Sequence, residues 1–442
     1  MTFRIDTPLE KLTPADARIL LDRSTSRDDA VRERTTAILW RVRVGGDDAL
    51  RTLAREFDGA DLVELEVPRR AMERALDALD PTLRRALERT ARNVAAAHHA
   101  FLPDAVEIET EPGVIVGRRP DPLARVGVYA PGGRAAYPSS VLMGVVPAKV
   151  AGVGEVIVCT PPSRETGAPS DVVLAAARLA GADRVFAVGG AGAIGAMAYG
   201  TASIPAVNRI VGPGNAYVAE AKIQVAGMVP IDSPAGPSEL LVVCDASADA
   251  RVIAREVLAQ AEHDPDAAVV VIATSRRIAE AIRRETTALL ADAPRNDILR
   301  ASLGGRGGLL WVDAEDEASV ETGAIPAFAN AWAPEHLLLA VREPRQALDA
   351  YAGAGTVFLG ETSSVAFGDY MTGANHVLPT GRAALSWSGL STLDFVRWTT
   401  YQRVTRDAAA RLAADVGTFA DSEGLPNHAA AARQWMESEE AP

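Results

Sequence analysis

Cysteine is nearly missing from this chain: Cys159 and Cys244 are the only two among 442 residues. Each closes an apolar run, Val156-Ile157-Val158-Cys159 and Leu241-Val242-Val243-Cys244. Both read as reduced thiols in buried strands, not as a disulfide framework or a catalytic nucleophile. Positive charge is short as well. There are 45 Lys plus Arg against 58 Asp plus Glu, a formal net charge of -13, and nearly all the basic residues are Arg. That balance argues against a nucleic-acid binder, which needs a basic face. It leaves room for anionic ligands seated on loop amides and helix N-termini. No uncharged apolar stretch reaches the roughly 18 residues that a membrane span requires. The opening Met1-Thr2-Phe3-Arg4-Ile5-Asp6 brings an acid early and no apolar core segment, so no signal peptide is expected and a cytoplasmic location is. What remains is ordinary globular material, 48% hydrophobic and 23% charged, long enough for two or three domains with large cores.

Residues up to about 100 read as helical. Apolar residues recur at helical spacing over 32–43, 69–79 and 82–100, with Pro81 legal in a first turn. From about 113, short apolar runs alternate with Ala-rich helical stretches across Gly or Pro. The runs fall at 126–129, 155–159, 184–188, 209–211, 239–244, 268–273, 309–312, 336–341 and 356–359. Helices are expected at 140–150, 171–179, 216–225, 248–262 and 275–291. This alternation predicts parallel sheets with helices on both faces, and the number of runs predicts two of them. The stretch from about 387 reads as helical, polar and Gly-punctuated, an appendage suited to packing on a partner subunit.

Histidine is scarce too, with six residues. His98 and His99 lie in an Ala-rich helix and read as a surface or helix-end pair. The other four sit among acids, amides or hydroxyls. In Gln260-Ala261-Glu262-His263-Asp264-Pro265-Asp266, the i, i+3 spacing puts Gln260 and His263 on one helical face, a metal half-site, before Pro265 stops the element. Trp332-Ala333-Pro334-Glu335-His336-Leu337 sets an acid and a base at the mouth of a buried strand. Adjacent strand side chains point to opposite faces, which allows two separate proton-transfer roles; a strand-entry cap is the plainer alternative. Phe367-Gly368-Asp369-Tyr370-Met371-Thr372-Gly373-Ala374-Asn375-His376 is a Gly-rich loop holding a carboxylate and an imidazole seven residues apart. Glu423-Gly424-Leu425-Pro426-Asn427-His428 adds an acid–imidazole pair in the tail, suited to completing a site across a subunit boundary.

Gly190-Ala191-Gly192-Ala193-Ile194-Gly195 follows a strand and opens a helix, the context of a dinucleotide fingerprint. About 20 residues on, however, stand Asn208, Arg209 and Ile210, with no acid to hold a ribose. Gly212-Pro213-Gly214-Asn215 offers a second anion seat, Asn215 being a good N-cap for the following helix. Tyr129-Ala130-Pro131-Gly132-Gly133 makes a tight turn with an aromatic that can stack on a nucleotide ring. Ala235-Gly236-Pro237-Ser238-Glu239 opens another strand with a hydroxyl. A His/Asp/Gln set without Cys suits zinc, cobalt or manganese.

Taken together, Gln260-Ala261-Glu262-His263-Asp264-Pro265-Asp266, Ala333-Pro334-Glu335-His336-Leu337, Gly368-Asp369-Tyr370 followed by Asn375-His376-Val377-Leu378-Pro379-Thr380-Gly381, Val211-Gly212-Pro213-Gly214-Asn215-Ala216-Tyr217-Val218 and Ala235-Gly236-Pro237-Ser238-Glu239 resemble the histidinol dehydrogenase family in order and spacing. The resemblance covers roughly residues 20 to 435. It implies oxidation of L-histidinol through the aldehyde to L-histidine, with two hydride transfers to NAD. It implies one zinc per subunit, held by Gln260, His263, Asp369 and His428, the last supplied by the other subunit of a homodimer. His336 is then the base for the hydroxyl proton, and Glu335 activates water on the bound aldehyde. Ser238, His376 and Glu423, with the metal ligands and His336, hold the substrate. Tyr129, Gly192 and Asn215 fall at NAD-contact positions, although the family usually carries Gln where this chain has Gly192. Residues 361–367, 382–387 and Tyr401-Gln402 also depart from the family pattern.

The architecture so implied is two Rossmann-like α/β domains, parallel sheets flanked by helices. An N-terminal segment, 1–26, is followed by a discontinuous domain, 27–128 with 239–386, that carries the metal and catalytic residues. An NAD-associated domain spans 129–238, and a helical, dimer-crossing tail spans 387–442. Three other readings stay open: a sister dehydrogenase acting on another alcohol such as sulfopropanediol, a metal hydrolase, and a non-catalytic binding protein on the same scaffold.

Overall fold

The structure, a computed structural model, describes residues 2–23, 28–132, 136–312 and 317–436; Gly133, the last residue of the turn after Tyr129, lies outside them. The chain divides into two compact units, one of residues 1–101 with 123–395 and one of 102–122 with 396–442.

Thirteen strands run in chain order among the described residues: β1 (Ile5–Pro8), β2 (Val106–Glu111), β3 (Val114–Pro122), β4 (Arg125–Tyr129), β5 (Glu155–Thr160), β6 (Arg184–Ala187), β7 (Arg209–Val211), β8 (Glu239–Cys244), β9 (Ala268–Ala273), β10 (Gly307–Trp311), β11 (His336–Ala340), β12 (Thr356–Leu359) and β13 (Val396–Val404). In the first unit, a six-stranded parallel sheet has the order β1-β10-β9-β8-β11-β12, and a four-stranded parallel sheet has the order β6-β5-β4-β7. The predicted α/β class with two parallel sheets flanked by helices is what the chain adopts. Every run expected from residue 126 onward to 359 is a strand, its ends shifted by one or two residues at most.

Alternation explains why the large sheet is covered on both faces. Leu240, Val242 and Cys244 pack with Val269 and Val271 against Ile253, Val257, Ile278 and Ile282. Leu241 and Val243 pack with Val270 and Ile272 against Ile5, Leu20, Ile325 and Trp332 on the other side. Full burial of each such side chain contributes roughly 1.5–3 kcal/mol relative to exposure. Both cysteines are free and buried, and burial pushes both thiols up, Cys159 to about 12.

Several expectations needed correction. β1 interrupts the helical reading of the first hundred residues; it is a four-residue edge strand ending on Pro8, too short for a periodicity to register. The small sheet opens with β4 at Arg125. The second unit holds an antiparallel sheet, β13-β3-β2, absent from the sequence reading. So the segment after 387 is not all helix: β13 precedes the helices Arg406–Ser422 and Pro426–Arg433. His98 is not a surface residue; it is buried in the helix Pro81–Phe101, its ring edge-on to Phe101, while His99 is exposed. Among the described residues, no helix is long and apolar enough to cross a membrane.

Candidate active site

The mouths of two neighbouring strands of the large sheet form the floor of the site. β8 starts at Glu239 and β11 at His336, in parallel register with His336 opposite Leu240. The helix Ala324–Trp332 ends at Ala333 in the left-handed region, φ 48°, and the chain swings through Pro334 into Glu335. Glu335 therefore precedes the strand, and the strand alternation invoked for this pair does not apply to it. The two side chains converge on the main chain of Glu239. Glu335 Oε2 accepts the Glu239 N–H at 2.7 Å, and His336 Nδ1 lies 3.0 Å from the Glu239 carbonyl oxygen. A carbonyl can only accept, so Nδ1 carries the hydrogen and Nε2 keeps a lone pair in the neutral ring. Nε2 is buried without a hydrogen-bond partner, 3.7 Å from Asp369 Oδ1. Burial works against the charged ring, but the nearby carboxylates of Glu335, 3.4 Å from Nδ1, and Asp369 outweigh it and raise His336 to about 9.

Asp369 sits near the end of the six-residue helix Val365–Tyr370, itself tied down by Glu256 accepting from Val365 N and by Thr90 donating to the Tyr370 carbonyl. His376 Nδ1 lies 2.8 Å from the Asp369 carbonyl oxygen, and Asn375 Nδ2 donates to the Met143 carbonyl. These contacts turn a Gly-rich loop into a fixed mount. Gln260 lies in the last turn of the helix Ala250–Ala261, buried, with Nε2 lacking a partner. His263 stands just past the helix end, its amide donating to the Gln260 carbonyl at 3.3 Å.

Tyr129, Asn215, Ser238, His263, Glu335, His336, Asp369 and His376 all line one cavity of about 450 Å³. A second cavity of about 690 Å³ shares Tyr129, Gly132 and Asn215 with it and extends along residues 188–192. Tyr129 lines both cavities. It is buried, and its hydroxyl accepts the Gly190 N–H at 3.0 Å, tying the end of β4 to the start of the helix Gly190–Tyr199; burial raises its pKa to about 12. Asn215 caps the helix Ala216–Val225, accepting from Tyr217 N and Val218 N. Gly212 turns at φ 116° against the Tyr129 backbone, where a Cβ would overlap the carbonyl oxygen. A buried ion pair, Lys222 with Asp232, takes both polar groups of Gly212: Asp232 accepts its N–H at 2.7 Å and Lys222 donates to its carbonyl at 3.1 Å. Gly192 serves packing: a Cβ there would meet Leu53 Cδ1 at 3.2 Å, where the helix Asp29–Leu53 crosses.

Glu423 and His428 belong to the second unit, both exposed, His428 on the helix Pro426–Arg433. Among the described residues, no group of three or more His, Cys, Asp or Glu gathers to hold a metal. Sequence reasoning missed Asp58, which lines the second cavity with Arg34 and Phe57 and is raised to about 6 by burial. Its segment, Arg55-Glu56-Phe57-Asp58-Gly59, has no motif, and only tertiary folding brings it beside residues 188–192. Arg23, buried against Glu239, was missed for the same reason.

The family model for histidinol dehydrogenase matches residues 21–436. The histidinol dehydrogenase of Halobacterium salinarum is 48% identical, over 96% of this chain and 97% of its own. That of Methanosarcina barkeri is 42% identical, over 98% of each. The crystal structure of histidinol dehydrogenase from Elizabethkingia anophelis superposes with a TM-score of 0.90 at 31% identity, over 98% of each chain. Fold and site thus define an α/β dehydrogenase, an oxidoreductase with an acid–imidazole pair at the strand mouths. The chain belongs to the histidinol dehydrogenase family.

Proposed function

We propose that the chain oxidises L-histidinol through L-histidinaldehyde to L-histidine, the last step of histidine biosynthesis, using NAD twice and one zinc per subunit. The observation that carries this reading is the shared cavity: Ser238, His263, Glu335, His336, Asp369 and His376 line one space that joins, at Tyr129 and Asn215, a second space of cofactor size.

The donors suit a metal by their chemistry. Asp369 and His263 line the cavity, and the buried Gln260 offers a carboxamide oxygen. An N/O set without thiolate fits a borderline divalent cation. On the family's pattern the remaining ligand, His428, and the substrate contact Glu423 would come from the other subunit of a homodimer. When bound, zinc would act chiefly as a template that orients the substrate's imidazole and amine. Asp369, if it held a cation, would lend less support to the charged His336 ring. The second cavity suits NAD, which supplies hydride acceptance. Asp58 offers there the carboxylate for a ribose hydroxyl that the Gly-rich turn lacks.

His336 Nε2 takes the hydroxyl proton as hydride leaves the carbinol carbon. Glu335 takes a proton from the water that adds to the aldehyde, and the resulting hydrate loses the second hydride, with His336 again the base. Purified protein with zinc, NAD and L-histidinol is expected to form close to two NADH per substrate, in a chelator-sensitive manner. No NADH from histidinol, with turnover of sulfopropanediol run alongside, would overturn the substrate and keep the family.

A further inference from the structure

One buried ion pair has no part in these steps. Arg23 and Glu239 are 2% and 1% exposed, with Arg23 Nη1 2.8 Å from Glu239 Oε2. Removing two charges from water costs several kcal/mol per ion unless further hydrogen bonds offset it, and such a pair is weak evidence of a stabilising role. The further bonds here all lead to the site. Glu239 Oε1 accepts the Gly381 N–H at 2.7 Å. Arg23 Nη2 donates to the Trp332 carbonyl, and the guanidinium lies 3.6 Å over the Trp332 ring.

Trp332 is the last helical residue before the turn that delivers Glu335 and His336. Gly381 follows Thr380, whose hydroxyl accepts the Gly236 N–H, and closes the loop that carries His376. Glu239 is the residue whose amide and carbonyl hold Glu335 and His336. The pair thus fastens three segments at the point where both proton-transfer groups are oriented. We propose that Arg23 and Glu239 are positioning residues: their ion pair fixes the Glu239 main chain, and through it the directions of Glu335 and His336. The N-terminal segment thereby acts on both proton transfers without touching substrate. This rests on the reading of Glu335 and His336 as the proton-transfer pair.

The test replaces the pair by Arg23→Met/Glu239→Gln, which leaves no orphan charge, and by Arg23→Lys, which keeps the charge but not the planar fork. Misdirection of reacting groups by about 1 Å costs up to about 100-fold. The double variant is expected to lose about 10- to 100-fold in kcat with both KM values within about threefold, and Arg23→Lys to fall between it and wild type. A crystal structure of the metal-free double variant should show the Glu335 carboxylate off the Glu239 amide. Wild-type kcat in either folded variant, or a double variant with both hydrogen bonds intact, overturns the proposal. Silence of the wild type toward L-histidinol overturns the substrate reading instead, and the crystal structure still decides the positioning.

Discussion

His336 Nδ1 lies 3.0 Å from the carbonyl oxygen of Glu239, which fixes the hydrogen on Nδ1 and leaves Nε2 as the basic atom. His336→Gln is therefore expected to lower kcat by about 10²- to 10⁴-fold with little change in KM. Glu335→Gln should act mainly on the second oxidation, bringing NADH toward one per histidinol consumed. Steady-state rates and product stoichiometry check both, and equal effects on the two oxidations would sink the division of labour.

The proposed metal site rests on Asp369 and His263, which line one cavity, and on the buried Gln260. Asp369→Asn and His263→Asn should each lose bound zinc and turnover together while circular dichroism stays that of the folded protein. Elemental analysis after dialysis reads the metal. Full zinc retention in both variants would remove them from the ligand set.

The loop at Gly212 leaves no room for a side chain. Gly212→Ala meets the Tyr129 carbonyl oxygen at a φ that L residues avoid. We expect a loss of about 3 kcal/mol or more in urea unfolding, together with NADH affinity weakened at least about tenfold (about 1.4 kcal/mol) by fluorescence titration. Unchanged NADH binding would mean that this loop does not shape the cofactor site.

Lys222 and Asp232 are buried together, so removing one strands the other. Lys222→Met alone should cost about 3–5 kcal/mol, and Lys222→Met with Asp232→Asn much less. A double-mutant cycle by denaturant unfolding measures the coupling. Additive effects would mean that the pair is not an energetic unit.

His98 is buried with neither ring nitrogen hydrogen-bonded, and burial lowers it from 6.5 to about 4. The unfolded chain takes up this proton below about pH 6.5, while the folded chain resists until about 4. The His98 contribution is therefore fully present above about pH 6.5 and is lost as the pH falls toward 4. His98→Leu should flatten the acid side of the stability curve by about 3 kcal/mol. Unfolding followed from pH 7 to pH 4 in both proteins tests this, and parallel curves would refute it.

The alternation of Val- and Leu-rich runs with Ala-rich helices, broken by Gly and Pro, determined the two parallel sheets, because most of these runs are buried on both faces and carry their own local signal. β2 and β13 escaped notice although Val106-Glu107-Ile108-Glu109 alternates and Trp398-Thr399-Thr400-Tyr401 is rich in strand formers. Both are short on buried residues, and their partner β3 is distant from β13 in sequence. The four-histidine pattern also named the candidate site, since so few residues could carry proton-transfer or ligand chemistry. Only the tertiary structure decided how those residues meet. It turned Glu335 and His336 onto one residue's main chain, bound the Tyr129 hydroxyl to Gly190, and brought Arg23 and Asp58 beside groups hundreds or scores of residues away. Those relationships depend on burial and on contacts across the chain, for which local sequence holds no periodic signal.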